Sequence, residues 1–308
     1  MSKVSKFIFW HYLHPRYWSN WLGLLVMLII SLLPFRVIVF LGSLLGKLLF
    51  MFSRSRKHIV LRNLERCFPQ WNNEQRLKIA RQNFIATGRA FVETSIAWWL
   101  PAQRLQSLMN SRGEHHIDQA VAENKRIILL IGHFCSLEMA AMYFASARTV
   151  VTIYKPPHNK LMDAFIRNRR LRYGMGTLLR VSDGLKPAIR ALKRGEIFIY
   201  LPDQNAGRRN GMFVPFFGIQ ASTFSVLGKM TKLTDAVVLP CYIRQLPAGQ
   251  GYELTIEPPL DNFPSGDDYQ DTLRVNTEIE KEVKEIPDQY LWVHRRFKTR
   301  PEGEKEFY

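Results

Sequence analysis

Polar and apolar positions along the chain fall into three successive patterns. The first is an uncharged run, "YWSNWLGLLVMLIISLLPF" from Tyr17 to Phe35, long enough as one helix to reach across the ~30 Å hydrocarbon core of a bilayer. Arg36 interrupts it, and a second uncharged run extends from Val37 to Gly46. The second pattern is helical: basic residues interleaved with Ile59, Leu61 and Leu64 over 54–68, closed by Pro69. Residues 72–101 continue it, with Leu77, Ile79, Phe84 and Ile85 at apolar positions and Pro101 as the stop. The third pattern is alternation. "RIILLIG" (126–132), "TVVTIYK" (149–155), "EIFIYLPD" (196–203), "AVVLPCYIRQ" (236–245) and "GYELTIEPP" (251–259) predict strands. Helices are predicted between and after them, over "LEMAAMYFA", 159–174, 184–195 and 269–287, the last with Leu273, Ile279 and Val283 on its apolar side.

Strands alternating with helices imply a mostly parallel sheet flanked by helices. The expected fold is therefore α/β, preceded by an N-terminal membrane-anchoring helix and a helical segment. The expected units are an anchor over 1–53, a basic and amphipathic helical segment over 54–120, and the α/β domain over 121–308. Tyr12, Tyr17, Trp18 and Trp21 cluster at the leading edge of the apolar run, as in an interfacial aromatic belt. Lys3, Lys6 and Arg16 precede the run and "RSRKHIVLR" follows it from Arg54. Each such cation is worth about 1 kcal/mol against an anionic leaflet. The run is too long for a cleaved signal peptide, and Pro34–Arg36 makes a poor cleavage site. Basic residues on both flanks blunt the positive-inside bias, so spanning the bilayer and lying in its interface both stay open.

Charge sharpens the question of partners. Forty-three Lys and Arg against 26 Asp and Glu leave a net charge of +17. An anionic partner is expected: nucleic acid, a phospholipid surface or a phosphorylated substrate. Binding of single-stranded nucleic acid wants aromatics between the cations, whereas here they concentrate in the membrane segment, which argues against it. Cys67, Cys135 and Cys241 are odd in number and far apart, which excludes a disulfide framework or zinc site and fits a reducing compartment. No metal or cofactor is expected.

Candidate chemistry begins at "GHFCSLE" (132–138), directly after an apolar strand. Positions five apart lie roughly 140° apart around a helix, so His133 and Glu138 meet only if His133 occupies the strand-to-helix turn and Glu138 the first helical turn. The carboxyl end of a strand is where α/β sheets place their chemistry. The plainer alternative is a loop histidine and a helix N-terminal charge. Further on, Arg167, Arg169, Arg170 and Arg172 crowd one helix after Lys155 and Lys160. An anion would relieve their repulsion, and guanidinium forks match phosphate; a solvated basic face is the alternative. Asp203 ends a strand ahead of a Gly-rich basic loop, where with Arg208 and Arg209 it either positions a polar headgroup or makes an ordinary turn. "WVHRRFKTRPEG" (292–303) adds another basic run with His294; a solvated tail is the alternative. "GSLLGK" (42–47) is one residue short of a phosphate loop and lacks its Ser or Thr, but Gly42 and Gly46 suit close helix packing. There is no GxSxG elbow, and Cys135 sits too near His133 in sequence for thiol–imidazole contact.

"HPRYW" (14–18), "GHFCSLE", "RRLRYG" (169–174), "LPDQNAG" (201–207) and "RRFKTRPEG" (295–303) together resemble the late acyltransferases of lipid A biosynthesis, the lauroyl and myristoyl transferases. These belong to the wider lysophospholipid acyltransferase group. The resemblance runs from His14 to about Gly303. It implies a bacterial inner-membrane enzyme active on the cytoplasmic side. Such an enzyme moves a C12 or C14 acyl chain from acyl carrier protein onto a 3-hydroxyacyl chain of a phosphorylated, Kdo-bearing lipid A precursor. It also implies direct transfer, with His133 as general base and Glu138 orienting the imidazole in an HxxxxD/E motif. The family's acid is usually aspartate; Glu138 is one methylene longer. Arg170 and Arg172 fall on its "RxR" and are assigned to phosphate or headgroup binding, with Arg167, Arg208 and Asp203 beside them. The alternatives are a glycerol-phosphate or lysophospholipid acyltransferase, and a non-catalytic scaffold gathering anionic lipid.

Overall fold

The apolar run from Tyr17 to Phe35 does not continue as one helix in the computed structural model, which describes residues 9–174 and 176–308. Lys3 and Lys6 lie outside the described residues. Helix α1 (Trp18–Ser31) stops short of Pro34, and α2 (Phe35–Phe52) starts after it. Proline has no N–H to continue the ladder and disfavours helical backbone at the residue before it, so the break falls here. Among the described residues, α2 is the helix long and apolar enough to cross a membrane.

Helix α3 (Arg54–Cys67) follows, then α4 (Asn73–Trp99), which opens on a capping box between Asn72 and Gln75. Glycines let α2 and α4 touch backbone to backbone. A Cβ on Gly46 would lie 2.3 Å from the Phe84 carbonyl oxygen, and one on Gly88 would lie 2.4 Å from the Gly46 nitrogen. The opposite flank of α4 faces the α/β body. Asn83 donates to the Asp288 and Tyr290 carbonyls at 2.9 and 2.6 Å. Further along, Thr87 meets Cys135 at 3.6 Å, and Glu93 meets Gln245 at 3.4 Å.

After α5 (Ala102–Gln106) come β1 (Met109–Arg112), α6 (Glu114–Ala122), β2 (Arg126–Ile131), α7 (Leu137–Ala147), β3 (Val150–Tyr154), α8 (Lys160–Arg170) and β4 (Gly176–Arg180). Then follow α9 (Lys186–Lys193), β5 (Ile197–Tyr200), α10 (Gly207–Asn210), the hairpin β6 (Gly211–Phe216) and β7 (Ile219–Phe224), and α11 (Leu227–Thr234). Strands β8 (Ala236–Gln245) and β9 (Tyr252–Ile256) and helix α12 (Asp268–Glu285) complete the series. Seven strands form one sheet in the order β1-β9-β8-β2-β5-β3-β4, parallel except for the β8–β9 pair. The mostly parallel α/β sheet is thus present, and it reaches back to Met109, ahead of the expected start at 121. Its centre is dry: Ile127 through Ile131 on β2 are all buried.

Candidate active site

Strands β2 and β5 are parallel neighbours in which Leu130 is level with Tyr200. Three residues beyond each lies a polar side chain, His133 after β2 and Asp203 after β5. Equal offsets from a shared register bring them together. The Asp203 carboxylate meets the His133 ring Nδ1 at 2.6 Å through Oδ1 and accepts from the His133 backbone N–H at 2.8 Å through Oδ2. With Nδ1–H given to the carboxylate, Nε2 is the nitrogen left to accept a proton. Asp203 is fully buried, and the Tyr290 hydroxyl also bonds its carboxylate. Burial pushes the carboxyl up, but the charge and hydrogen bonds of His133, with that of Tyr290, outweigh it and hold Asp203 down at about 2.

Glu138 does lie in the first turn of α7, yet its carboxylate points elsewhere. The Arg170 fork grips it, Nε to Oε1 at 3.0 Å and Nη2 to Oε2 at 2.6 Å, and the Trp98 indole donates at 2.9 Å. Burial raises this carboxyl, and the Arg170 charge overrides the effect to hold it below the ordinary range. The orienting contact expected of Glu138 is therefore made by Asp203. The reason is register: a side chain one strand over reaches Nδ1, while Glu138 turns toward α8 and the end of α4.

The arginines expected to hold phosphate are also engaged within the protein. Arg172 donates to the Ala97 carbonyl at 3.3 Å and to that of Leu100, and Arg169 reaches the Trp98 carbonyl at 3.5 Å. These are the open carbonyls at the end of α4, which a helix terminus leaves without partners. Arg167 donates to the Tyr154 hydroxyl at 3.3 Å. The repulsion within the cluster is thus relieved by Glu138 and by carbonyl oxygens. Arg208 and Arg209 lie exposed on α10, beyond Asp203.

The start of the basic run, residues 292–297, is not a solvated tail: with 288–291 it forms a strap through the centre of the molecule. Trp292, Arg296 and Phe297 are buried. Leu291 N–H donates to the His133 carbonyl at 2.9 Å, and Cys135 N–H donates to the Gln289 carbonyl at 2.8 Å. Buried Asn63 on α3 holds the carbonyls of Trp292 and His294 at 2.8 and 3.0 Å. His294 lines the same small cavity as His133, Asp203 and Tyr290. Its Nε2 accepts from the Asn205 N–H at 3.2 Å, and burial lowers its pKa to about 4, so it is neutral at neutral pH. Buried Asn63 and Asn83 inside helices were the available signal, since such amides need backbone partners.

A bacterial lipid A biosynthesis acyltransferase family model matches residues 6–299. The chain is 40% identical to the lipid A biosynthesis lauroyltransferase of Escherichia coli K12, over 94% of this chain and 95% of the relative. It is 35% identical to that organism's lipid A biosynthesis palmitoleoyltransferase, over 96% of each chain. With its lipid A biosynthesis myristoyltransferase the identity is 31%, over 96% of this chain and 91% of the relative. The chain belongs to the bacterial lipid A biosynthesis acyltransferases. For an acyltransferase, the chemistry available here is acid–base. The Cys135 thiol is pushed up to about 12, first by burial, which leaves it protonated and unsuited to attack a thioester. Beside Glu138 and Arg170 opens an apolar pocket between α7 and strands β3, β4 and β5, lined by Ala141, Met142, Ala145, Val150, Leu178 and Ile199. Its largely aliphatic walls suit a hydrocarbon chain.

Proposed function

We propose that this acyltransferase moves a fatty acyl chain from acyl carrier protein to a 3-hydroxyacyl chain of a Kdo-bearing lipid A precursor, at the cytoplasmic face of a bacterial inner membrane. The clasp of His133 by Asp203 carries the reading. His133 Nε2 takes the proton from the acceptor hydroxyl as its oxygen attacks the thioester carbonyl. Asp203 keeps Nδ1 protonated and stabilises the imidazolium. When the tetrahedral intermediate collapses, the C–S bond breaks, and the imidazolium returns the proton to the departing thiolate of the carrier. No acyl-enzyme forms. General base catalysis of this kind is worth roughly 10²–10⁴-fold. Glu138 and Arg170 act as positioning residues that tie α7, α8 and the end of α4 together at the mouth of the apolar pocket, which takes the donor chain. The names of the relatives support lipid A acylation with chains of this general length.

The test is a mass-spectrometric assay of the purified protein with C12- and C14-loaded carrier and the Kdo-linked tetra-acylated precursor. One added acyl chain is expected for wild type, with loss of about 10²-fold or more in His133→Ala and Asp203→Asn. Wild-type turnover by Asp203→Asn would sink the mechanism. Transfer only to lysophospholipids would instead favour the related glycerol-phosphate or lysophospholipid reaction.

A further inference from the structure

Arg296, on the strap, is a charged side chain in the centre of the molecule with no charged hydrogen-bond partner. It is 2% exposed, and burying a guanidinium is costly unless an opposite charge offsets it. Its hydrogen bonds all go to neutral acceptors. Nη1 donates to the Ser222 carbonyl at 2.6 Å and the Gln204 carbonyl at 3.4 Å, and Nη2 donates to the Thr223 hydroxyl at 2.5 Å. Its Nε has no partner among the described residues. The fork also builds the loop behind Asp203. The Ser222 carbonyl on β7 accepts from the Ala206 N–H at 3.2 Å as well, and the Ser222 hydroxyl donates to the Gly207 carbonyl at 2.8 Å. One guanidinium and one serine thus fasten residues 204–207 to β7.

The offsetting charge is that of Asp203. Both side chains line the small cavity that His133 also faces. Among the described residues, the titratable groups whose fields reach Arg296 are Tyr290, Asp203, Tyr308 and Cys67. Burial pushes Cys67 and both tyrosines up, Tyr308 to about 12, so Asp203 is the ionised one at neutral pH. Around His133 stand Asp203 from the end of β5, then Tyr290, His294 and Arg296 from the strap. From α3 comes exposed Arg56, which donates to the Val293 carbonyl at 3.1 Å and whose charge solvent screens.

We propose that Arg296 is a positioning residue of the acyl-transfer site, which fastens the loop behind Asp203 and supplies the counter-charge that keeps this carboxylate ionised beside a neutral imidazole. This rests on the reading of His133 as general base. The reason is electrostatic. A buried carboxylate without a cation favours making one, and the ring it touches is that of His133. An imidazole protonated at rest cannot take the proton of the acceptor hydroxyl. A fixed guanidinium removes that demand in advance and leaves Nε2 open.

The first test is a stability cycle on the full chain in detergent: Arg296→Gln, Asp203→Asn and the double variant. Arg296→Gln leaves a buried carboxylate without its counter-charge and should melt well below wild type. Adding Asp203→Asn should recover part of that loss. If Arg296→Gln does not fold, recovery of folded protein in the double variant is the same result. A double variant no more stable than Arg296→Gln would overturn the inference. The second test follows the protonation of the His133 ring by NMR of labelled histidine, assigned with His133→Gln. The ring should keep its proton to higher pH in Arg296→Gln than in wild type, by about half a pH unit or more. Arg296→Lys, which keeps the charge without the fork, should melt lower yet titrate like wild type. A His133 titration indifferent to the lost charge would leave Arg296 a purely structural residue and the proposal refuted. Neither readout uses acyl transfer, so full activity in His133→Ala would sink the base reading separately.

Discussion

Asp203 joins two strands, a ring nitrogen and a backbone amide through one carboxylate. Its depressed pKa has a consequence for stability. The folded value, about 2, lies below the ordinary 3.8, so the ionised form is favoured by folding. The stabilisation, about 2 kcal/mol, is fully present above the unfolded value and is lost as pH falls toward the folded one. Unfolding measured from about pH 5 down to about pH 2 should therefore show a steeper loss in wild type than in Asp203→Asn, which has no carboxyl to protonate. Equal slopes would contradict the clasp. Arg172 makes a contrasting case. Because it donates to Ala97 and Leu100 carbonyls, Arg172→Ala should lower stability by about 1–2 kcal/mol while leaving the KM for the acceptor within about twofold. A large rise in KM with unchanged melting would restore the phosphate role. These residues mark the limit of sequence reading. His133 stands out because a strand end and a motif coincide. The partner of its imidazole depends on strand register, and the acceptors of Arg172 depend on where α4 ends; neither is written in local spacing.

Among the elements, α4 is the spine, with the α1–α2 hairpin on one side and the turn that carries His133 on the other. The Gly46–Gly88 crossing leaves no room for a side chain. Gly46→Val should abolish stable folding or cost several kcal/mol, whereas Gly23→Ala, with nothing within 4 Å of the added carbon, should melt like wild type. Thermal unfolding of the two variants in detergent decides it, and a Gly46→Val protein as stable as wild type would show that the helices do not meet there. Legibility of the elements follows burial. Central β2 and β5 announce themselves as apolar runs because both faces are covered. The edge strands β1, "MNSR", and β4, "GTLLR", are missed because an edge is half-wet and needs no such run. In β6, Pro215 hides a hairpin strand from any reading that treats proline as a breaker. The break between α1 and α2 was legible: Pro34 lies within the run that was read as one helix.

At the scale of the molecule, the charge of +17 remains after many arginines have found internal partners. Exposed cations such as Arg54, Arg208, Arg209 and Arg295 contribute to a long-range field. Raising ionic strength from about 0.1 M to about 1 M shortens the screening length from about 10 Å to about 3 Å. The KM for the proposed donor, acidic acyl carrier protein, should then rise several-fold at nearly constant kcat, as steering fades while the buried clasp is untouched. Initial rates across a salt series measure this, and a flat KM would remove steering from the account.

The strap has a bearing on how the enzyme comes into being. Its carbonyls are held by Asn63 and Asn83, and its Leu291 amide anchors the turn that carries His133. In synthesis the α1–α2 hairpin emerges before His133, and His133 before the strap. Tyr290 and His294 follow every strand of the sheet in the chain, so the cavity around His133 and Asp203 gains this wall only after the strands that carry them have been made.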